Sequence, residues 1–287
     1  MGRVAIITDS AACLPPALRE RYAIETVPLN YQFGESSYLD NLSLSADEFY
    51  ALLKVSRRLP TTAAPGPGLF LEAFRNARCR GAQEMLCIVT GSTLTATYGA
   101  ACEGAELAQQ ELPDARIRVL DSRSAAASLG FVVEAAAQAA DNGATLEEAI
   151  AVARDLVPRV HMIGMLDTLE YLAKSGRVPR AAAWLSTLVQ AKHLFELFEG
   201  HVVQLGAVRT RHRALIRLLD LTRRRLVPDR PLHVAVFHAR SPSEAEELAH
   251  QVRLELHPVE LYITEFSQVM SIHSGPGLIG LAFYNEL

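Results

Sequence analysis

A chain of 287 residues with 28 basic and 32 acidic side chains has a formal net charge of −4, which gives no electrostatic case for binding nucleic acid. At 49% hydrophobic residues it is a packed globular protein, long enough for two domains and able to bury its core without staples. The four cysteines show no metal spacing and read as small buried hydrophobes of a reducing cytoplasm; the first ten residues turn polar too soon for a signal peptide, and no apolar run approaches the ~18 residues of a membrane span.

The first half alternates strand and helix. A short apolar strand over 4–8 ends in Asp9-Ser10, a helix over 15–22 opens with proline, and a second strand covers 24–29. Residues 30–60 read as polar and irregular, with one helix over 46–53 capped by Ser45. A helix follows a Pro-Gly-rich start over 65–80, then a buried strand over 85–89, an Ala-rich helix over 95–111, a strand over 117–120 ending in Asp121-Ser122, and a helix over 125–142 stopped by Gly143. Short apolar strands spaced by helices predict a parallel, Rossmann-like sheet, with ligands beyond the carboxyl ends of the strands.

The second half differs. A helix over 145–156 gives way at Pro158 to a strand over 161–166. Strands over 195–198 and 201–208 meet at Glu199-Gly200, a hairpin signal. A helix over 214–226, a strand over 233–238, a helix over 242–254 and strands over 259–266 and 278–284 complete the pattern. The expectation is an α/β protein of two domains: residues 1–158 a Rossmann-like domain with an irregular insertion near 30–60, and residues 159–287 an α+β domain with a mixed or antiparallel sheet. The basic runs 209–213 and 223–225 sit on amphipathic patterns and read as solvated helix faces.

Residues 85–98 are the most informative stretch. A buried strand empties into Thr90, Gly91, Ser92, Thr93, Thr95 and Thr97 as a helix begins. Such a turn presents backbone N–H groups beside hydroxyls and can hold a phosphate or carboxylate; equally, its hydroxyls can serve as ordinary helix caps. Thr61-Thr62 before the Pro65 helix is either a cap or a second hydroxyl facing that turn. Arg177, after Lys174-Ser-Gly, is either an anion clamp or a surface cation, and His273 starts a glycine-rich loop where a structural role is the commoner one. Gly275-Pro-Gly-Leu-Ile-Gly280 matches the dinucleotide pattern G-x-G-x-x-G but comes at the end of the chain, before a strand and not a helix, so it is rejected. There is no P-loop, no His-Glu-x-x-His and no G-x-S-x-G elbow.

Taken in order, Ile7-Thr-Asp-Ser10, Thr62-x-x-Pro65, the hydroxyl turn ending in Thr97-Tyr98, Val119-Leu-Asp-Ser122, Leu169-x-x-Leu-x-x-Ser-Gly-Arg177 and His273-x-Gly-Pro-Gly277 resemble the DegV family of bacterial fatty-acid-binding proteins. Each motif is weak by itself; six in order over nearly the whole chain are specific. The resemblance implies a two-domain α/β fold with a long-chain fatty acid buried between the domains. It implies a lipid-binding subunit of a fatty acid kinase, a carrier and not an enzyme, that presents the carboxylate to a separate kinase for acyl-phosphate formation. Ligand contacts carried over by motif fall on Thr62, Gly91, Ser92 and Thr95, with Arg177 and His273 facing the partner or phosphate. The resemblance implies no cofactor and no metal, and a cytoplasmic protein whose partners are the fatty acid and a cytoplasmic kinase subunit, with room for transient membrane contact. The family's usual Thr-Ser-Gln-Pro-Ser stands here as Thr62-Ala63-Ala64-Pro65-Gly66, and its Ser-Ser-x-Leu-Ser-Gly-Thr-Tyr as Gly91-Ser92-Thr93-Leu94-Thr95-Ala96-Thr97-Tyr98, so position 91 lacks a hydroxyl.

A carboxylate leaving water must be hydrogen-bonded, and hydroxyls beside a helix N-terminus do that without a metal. Each buried CH₂ of the tail contributes about 0.8 kcal/mol, so a ~16-carbon chain gains roughly 12 kcal/mol before ordering costs. Two other readings stand: a stand-alone phosphotransferase or hydrolase using Ser92 and His273, for which no third group orients the histidine, and a lipid-sensing regulator without a kinase.

Overall fold

The computed structural model of the chain describes residues 4–178 and 191–287. Its first layer is a four-stranded parallel sheet of β1 (Ala5–Asp9), β2 (Glu25–Val27), β6 (Glu84–Val89) and β7 (Arg116–Asp121), in the order β2-β1-β6-β7. Successive side chains of a strand point to opposite faces, so both faces of this sheet are fed by the same short apolar runs. Ile7, Met85, Cys87 and Val89 pack with Phe70 and Phe74 of α3 (Pro67–Cys79) and Ala101 and Ala108 of α4 (Thr97–Glu111). Ile6, Leu86 and Ile88 pack on the other side with α5 (Ala126–Asp141) and α6 (Leu146–Leu156). Between β1 and β2 lies α1 (Pro16–Arg21), with proline in its first turn.

The second layer is a six-stranded mixed sheet in the order β10-β9-β8-β13-β11-β12. It comprises β8 (His161–Leu166), β9 (Lys192–Phe198), β10 (His201–Val208), β11 (Leu232–His238), β12 (Glu260–Glu265) and β13 (Ile279–Asn285). Only β11 and β12 pair in parallel; the others are antiparallel. Ile163, Met165, Val234, Val236 and Leu281 face the outer helices α8 (Arg211–Arg223) and α9 (Pro242–Leu256). Met162, Leu166, Phe195, Leu197 and Phe237 face inward, toward α5. Helix α5 therefore lies between the two sheets, and twelve of its sixteen residues are buried.

The stretch expected to be irregular holds a third sheet. Strands β3 (Asn30–Phe33), β4 (Ser36–Leu39) and β5 (Thr61–Ala63) pair antiparallel in the order β4-β3-β5, and α2 (Ala46–Val55) packs on them behind a Ser45–Glu48 capping box. These strands are three or four residues long and carry few aliphatic side chains, so no alternation stands out. Their stability comes from the aromatic cluster Tyr31, Phe33, Tyr38 and Phe49, completed by Val269 and Ile272 from the far end of the chain. Two short helices were also not anticipated: α7 (Glu170–Ser175) and α10 (Gln268–Ser274). His273 is thus in the last turn of a helix and not at the head of a loop. The expected strand and helix positions elsewhere agree with the structure to within a few residues.

One buried carboxyl marks where the two sheets meet. Glu134 of α5 is 7% exposed, and its Oε2 has no hydrogen-bond partner among the described residues. Burial, reinforced by Glu260 and opposed by His233 and Arg21, pushes its pKa up to about 7. A carboxyl with a raised folded-state pKa holds its proton better folded than unfolded, so stability is highest below the ordinary value of 4.5 and falls as pH rises toward and past 7. Glu134→Gln should remove that fall: Tm equal to wild type near pH 4, and a gain worth up to about 3 kcal/mol at pH 8, checked by thermal unfolding across pH.

Candidate functional site

The site begins with two buried aspartates that tie chain ends together. Asp9, at the carboxyl end of β1, accepts from the backbone N–H of Ala11 (2.9 Å) and from both the N–H (2.7 Å) and the hydroxyl (2.9 Å) of Thr90, just past β6. Burial pushes its pKa up to about 6 despite these bonds. Asp40, just past β4, accepts from the Ser10 hydroxyl at 2.6 Å and from the Val269 N–H at 2.9 Å. Gln268 accepts from the Tyr31 hydroxyl at 2.8 Å and donates to the Leu44 carbonyl at 2.7 Å. These bonds fix the start of α10 on the small sheet, which fixes where its last turn delivers His273.

A cavity with about 870 Å³ of empty space, its mouth included, runs between the two main sheets. Its walls are mostly apolar: Leu94 from the hydroxyl turn, Met162 and Leu166 from β8, Phe195 and Leu197 from β9, and Val269 and Met270 from α10. At one end the polar groups converge. The Thr62 hydroxyl on β5 lies 3.1 Å from His273 Nε2, and Arg177 donates to the hydroxyl (3.3 Å) and the carbonyl (3.4 Å) of Thr62. Arg177 is exposed at the mouth, and its guanidinium is braced by the Ser175 carbonyl at 3.0 Å. The Thr62 hydroxyl has two lone pairs and one proton, so it can meet either tautomer of the His273 ring. The other ring nitrogen, Nδ1, is enclosed and has no partner among the described residues. Burial, with the Arg177 charge adding to it, pushes the His273 pKa down to about 4.

Four of the six residues singled out from sequence line this cavity: Thr62, Thr95, Arg177 and His273. Gly91 and Ser92 do not. The Gly91 N–H is used on the Ser124 carbonyl at 2.8 Å, and a Cβ there would stand 3.0 Å from the backbone of Arg123 and Ser124, so a side chain at 91 would crowd that loop. Ser92 is exposed; its hydroxyl donates to Asp121 at 2.5 Å and its N–H at 3.2 Å. Thr93 is not a helix cap: it donates to the Gly200 carbonyl at 2.7 Å, pinning the tip of the β9–β10 hairpin beside the Arg123–Glu199 ion pair. Thr95 bonds Thr97 at 2.9 Å, at the start of α4. The apolar lining was not read from sequence, although Met162, Gly164 and Leu166 alternate as one strand face should.

The arrangement suits an elongated apolar molecule with one anionic head: hydroxyl, neutral imidazole and guanidinium at one end, hydrocarbon surface elsewhere. A wider cleft of about 1410 Å³ opens on the other side of the Asp9 loop, but Asp9, Asp40 and Glu265 line it and would repel an anionic head. Among the described residues no group of three or more His, Cys, Asp or Glu is placed to hold a metal ion, and no helix is long and apolar enough to cross a membrane.

This is the architecture of an α/β protein with an apolar-walled cavity between two sheets, and comparison with known proteins gives the family. The sequence signature described as "Uncharacterised protein, DegV family" matches residues 3–286. A DegV domain-containing protein of Streptomyces coelicolor is 33% identical over 279 residues, covering 97% of each chain. The structure of a DegV family protein from Thermus thermophilus, described by its fatty acid binding, superposes with a TM-score of 0.87 at 27% identity, covering 99% of this chain and all of the other. The structure of DegV from Bacillus subtilis, described as a fatty acid binding protein, gives a TM-score of 0.87 at 25% identity over the whole of both chains. The chain belongs to the DegV family.

The histidine gives a direct check on the geometry. His273 should stay neutral through pH 6 and titrate near 4, and Arg177→Ala should raise that value by removing an adjacent like charge. The unfolded chain takes up this proton first, so the histidine should cost stability as pH falls from 6.5 through 4. Imidazole NMR titration reads the ring directly; protonation near 6.5 in the wild type would contradict the enclosed site.

Proposed function

We propose that this protein binds one long-chain fatty acid in the cavity between its sheets, with the carboxylate at Thr62, His273 and Arg177. The single observation that carries the reading is the asymmetry of the cavity: one polar end built from Thr62, His273 and Arg177, and apolar walls beyond it. The enclosed Nδ1 of a neutral His273 has no partner among the described residues, and in the tautomer that protonates it a carboxylate supplies the acceptor. The fatty-acid-binding relatives from Thermus thermophilus and Bacillus subtilis support the same ligand class.

Organic extraction of the purified protein, followed by mass spectrometry, should release a single class of long-chain fatty acid at about one per chain. Delipidation should lower Tm by mass action. Thr62→Val removes the hydroxyl that holds His273 and Arg177 together at the polar end and should weaken fatty-acid affinity about tenfold or more; Ser92→Ala, outside the cavity, should leave it unchanged. Finding no lipid, and no thermal shift with any fatty acid, would defeat the reading.

The finer part of the proposal is presentation. Arg177 stands exposed at the mouth, where a cation can meet a phosphoryl group brought by a separate cytoplasmic kinase subunit, and the protein acts as carrier and not as catalyst. The rival hydrolase reading needs Ser92 and His273 as a pair, but Ser92 is hydrogen-bonded to Asp121 and His273 to Thr62. Arg177→Ala should weaken fatty-acid affinity and, even at saturating fatty acid, lose acyl-phosphate formation when a cognate kinase and ATP are supplied. Wild-type protein with ATP alone should form none; ATP turnover by the isolated chain would overturn the carrier assignment.

A further inference from the structure

The wider cleft lies on the far side of residues 9–13 from the apolar cavity. Ala11 lines the cavity, Ser10, Ala12 and Cys13 line the cleft, and Phe266 lines both. One wall of the cleft comes from the ends of β1 and β2, the other from Ile263 and Thr264 of β12. A parallel sheet receives ligands where its strand order reverses, beyond the carboxyl ends of the strands. In the order β2-β1-β6-β7 that point is the end of β1, where Asp9 sits.

Two hydroxyls of this cleft have nothing to bond. Thr8 of β1 and Thr26 of β2 are paired in register, both line the cleft, and they share the strand parity of Ile6 and Ile24, which pack on the α5 side. Thr8 is 0% exposed, and neither Thr8 Oγ1 nor Thr26 Oγ1 has a hydrogen-bond partner among the described residues. An enclosed, unbonded hydroxyl costs free energy that a polar occupant recovers. The charge of the cleft is one-sided as well. Asp9 and Asp40 line it, both buried, and their partners are N–H groups and hydroxyls; no cation among the described residues pairs with either. The three bonds to Asp9 leave acceptor capacity on Oδ2. Burial raises the Asp9 pKa to about 6, with repulsion from Asp40 adding to it, and a cation lodged beside the pair offsets both. Glu265 adds a carboxylate at the rim, and Arg19 is the one cation among the described lining residues.

No group among the described residues is placed to hold a metal ion, and about 1410 Å³ of space, the mouth included, suits an organic cation. We propose that this cleft is a second binding site, separate from the apolar cavity, for a small hydroxylated primary amine in its ammonium form, an amino alcohol or amino sugar. The ammonium group lies against Asp9 and Asp40, and the ligand's hydroxyls exchange hydrogen bonds with Thr8 and Thr26. The site stands whether or not the apolar cavity takes a fatty acid. Its occupant touches the same Asp9 and Asp40 that hold Thr90 and the start of α10.

The test is titration calorimetry of the full-length protein at about pH 7, where the amines are protonated and Asp9 is ionised. The probes are serinol and glucosamine, with glycerol and glucose as their uncharged counterparts. Each amine should bind about tenfold or more tighter than its counterpart, because only the amine makes charge-assisted bonds. Thr8→Val and Thr26→Val should each weaken amine binding about tenfold while the Tm of the free protein holds or rises, since each replaces an unbonded hydroxyl by a methyl group. A merely structural threonine would lower Tm and leave amine affinity alone. Ser92→Ala, outside the cleft, should bind the amines as wild type does. If a threonine variant fails to fold, the ratio of amine to polyol affinity in the wild type decides. Equal affinity for amine and polyol, no binding of either amine at millimolar concentration, or full amine affinity in both threonine variants would overturn the proposal. Competitive displacement of the amine by palmitic acid would place it in the apolar cavity and overturn the proposal too; failure of palmitic acid to bind at all would count against the fatty-acid reading alone.

Discussion

The rest of the structure depends on the burial of α5 between two sheets. A helix apolar on all sides has no solvent face to offer and must be covered all round. The Ala-rich sequence of α5 meets the parallel sheet through Leu86 and Ile88 and the mixed sheet through Met162 and Phe237, within one continuous core. Its small side chains let both sheets come close. Ser124 and Ser128 close its first turn: the Ser128 hydroxyl donates to the Ala125 carbonyl at 2.7 Å and lies 2.5 Å from the Ser124 hydroxyl. Because the two sheets share this helix, a space is left between them beyond its N-terminal end, and Ala125 lines it.

The polar end of that cavity is held by side chains that do not line it in large numbers. Asp9 joins the ends of β1 and β6, and Asp40 joins the Ser10 loop to the start of α10. Each carboxylate is buried and each is satisfied by backbone N–H or hydroxyl donors, the arrangement under which buried acidic groups persist. Their effect on the site is positional. They set the angle at which α10 presents His273 to Thr62, across 211 residues of sequence. A shift of one turn in α10 would separate the pair.

The opposite wall is held by the β9–β10 hairpin. Its tip, Glu199-Gly200, is fastened to the layer of the parallel sheet through Thr93 and Arg123. The hydroxyl turn at 90–97 therefore divides its labour: Thr90 holds Asp9, Ser92 holds Asp121, Thr93 holds the hairpin, and Thr95 faces the cavity. A dense run of hydroxyls is here mostly a set of structural clamps around one wall of the site.

Local sequence determined the elements with strong periodicity: the apolar strands β1, β6, β8 and β11, the capped helices α2 and α6, and the Glu199-Gly200 hairpin turn. It also singled out Thr62, Gly91, Ser92, Thr95, Arg177 and His273 from six short motifs in one order, and four of these six line the cavity. What it left open was decided by contacts between distant parts of the chain. Strands β3 to β5 are too short and too polar to announce themselves, and form because Tyr31 and Phe49 find Val269 and Ile272. Whether Ser92 or Thr95 faces the cavity is a matter of which hydroxyl meets Asp121, and that is fixed by the register of β6 on β7. The glycines at 164 and 280 look unremarkable in sequence; only the pairing of β8 with β13 puts them side by side under two phenyl rings. Periodicity is a property of neighbours along the chain, and so it is legible; partner choice is a property of neighbours in space, and only packing resolves it.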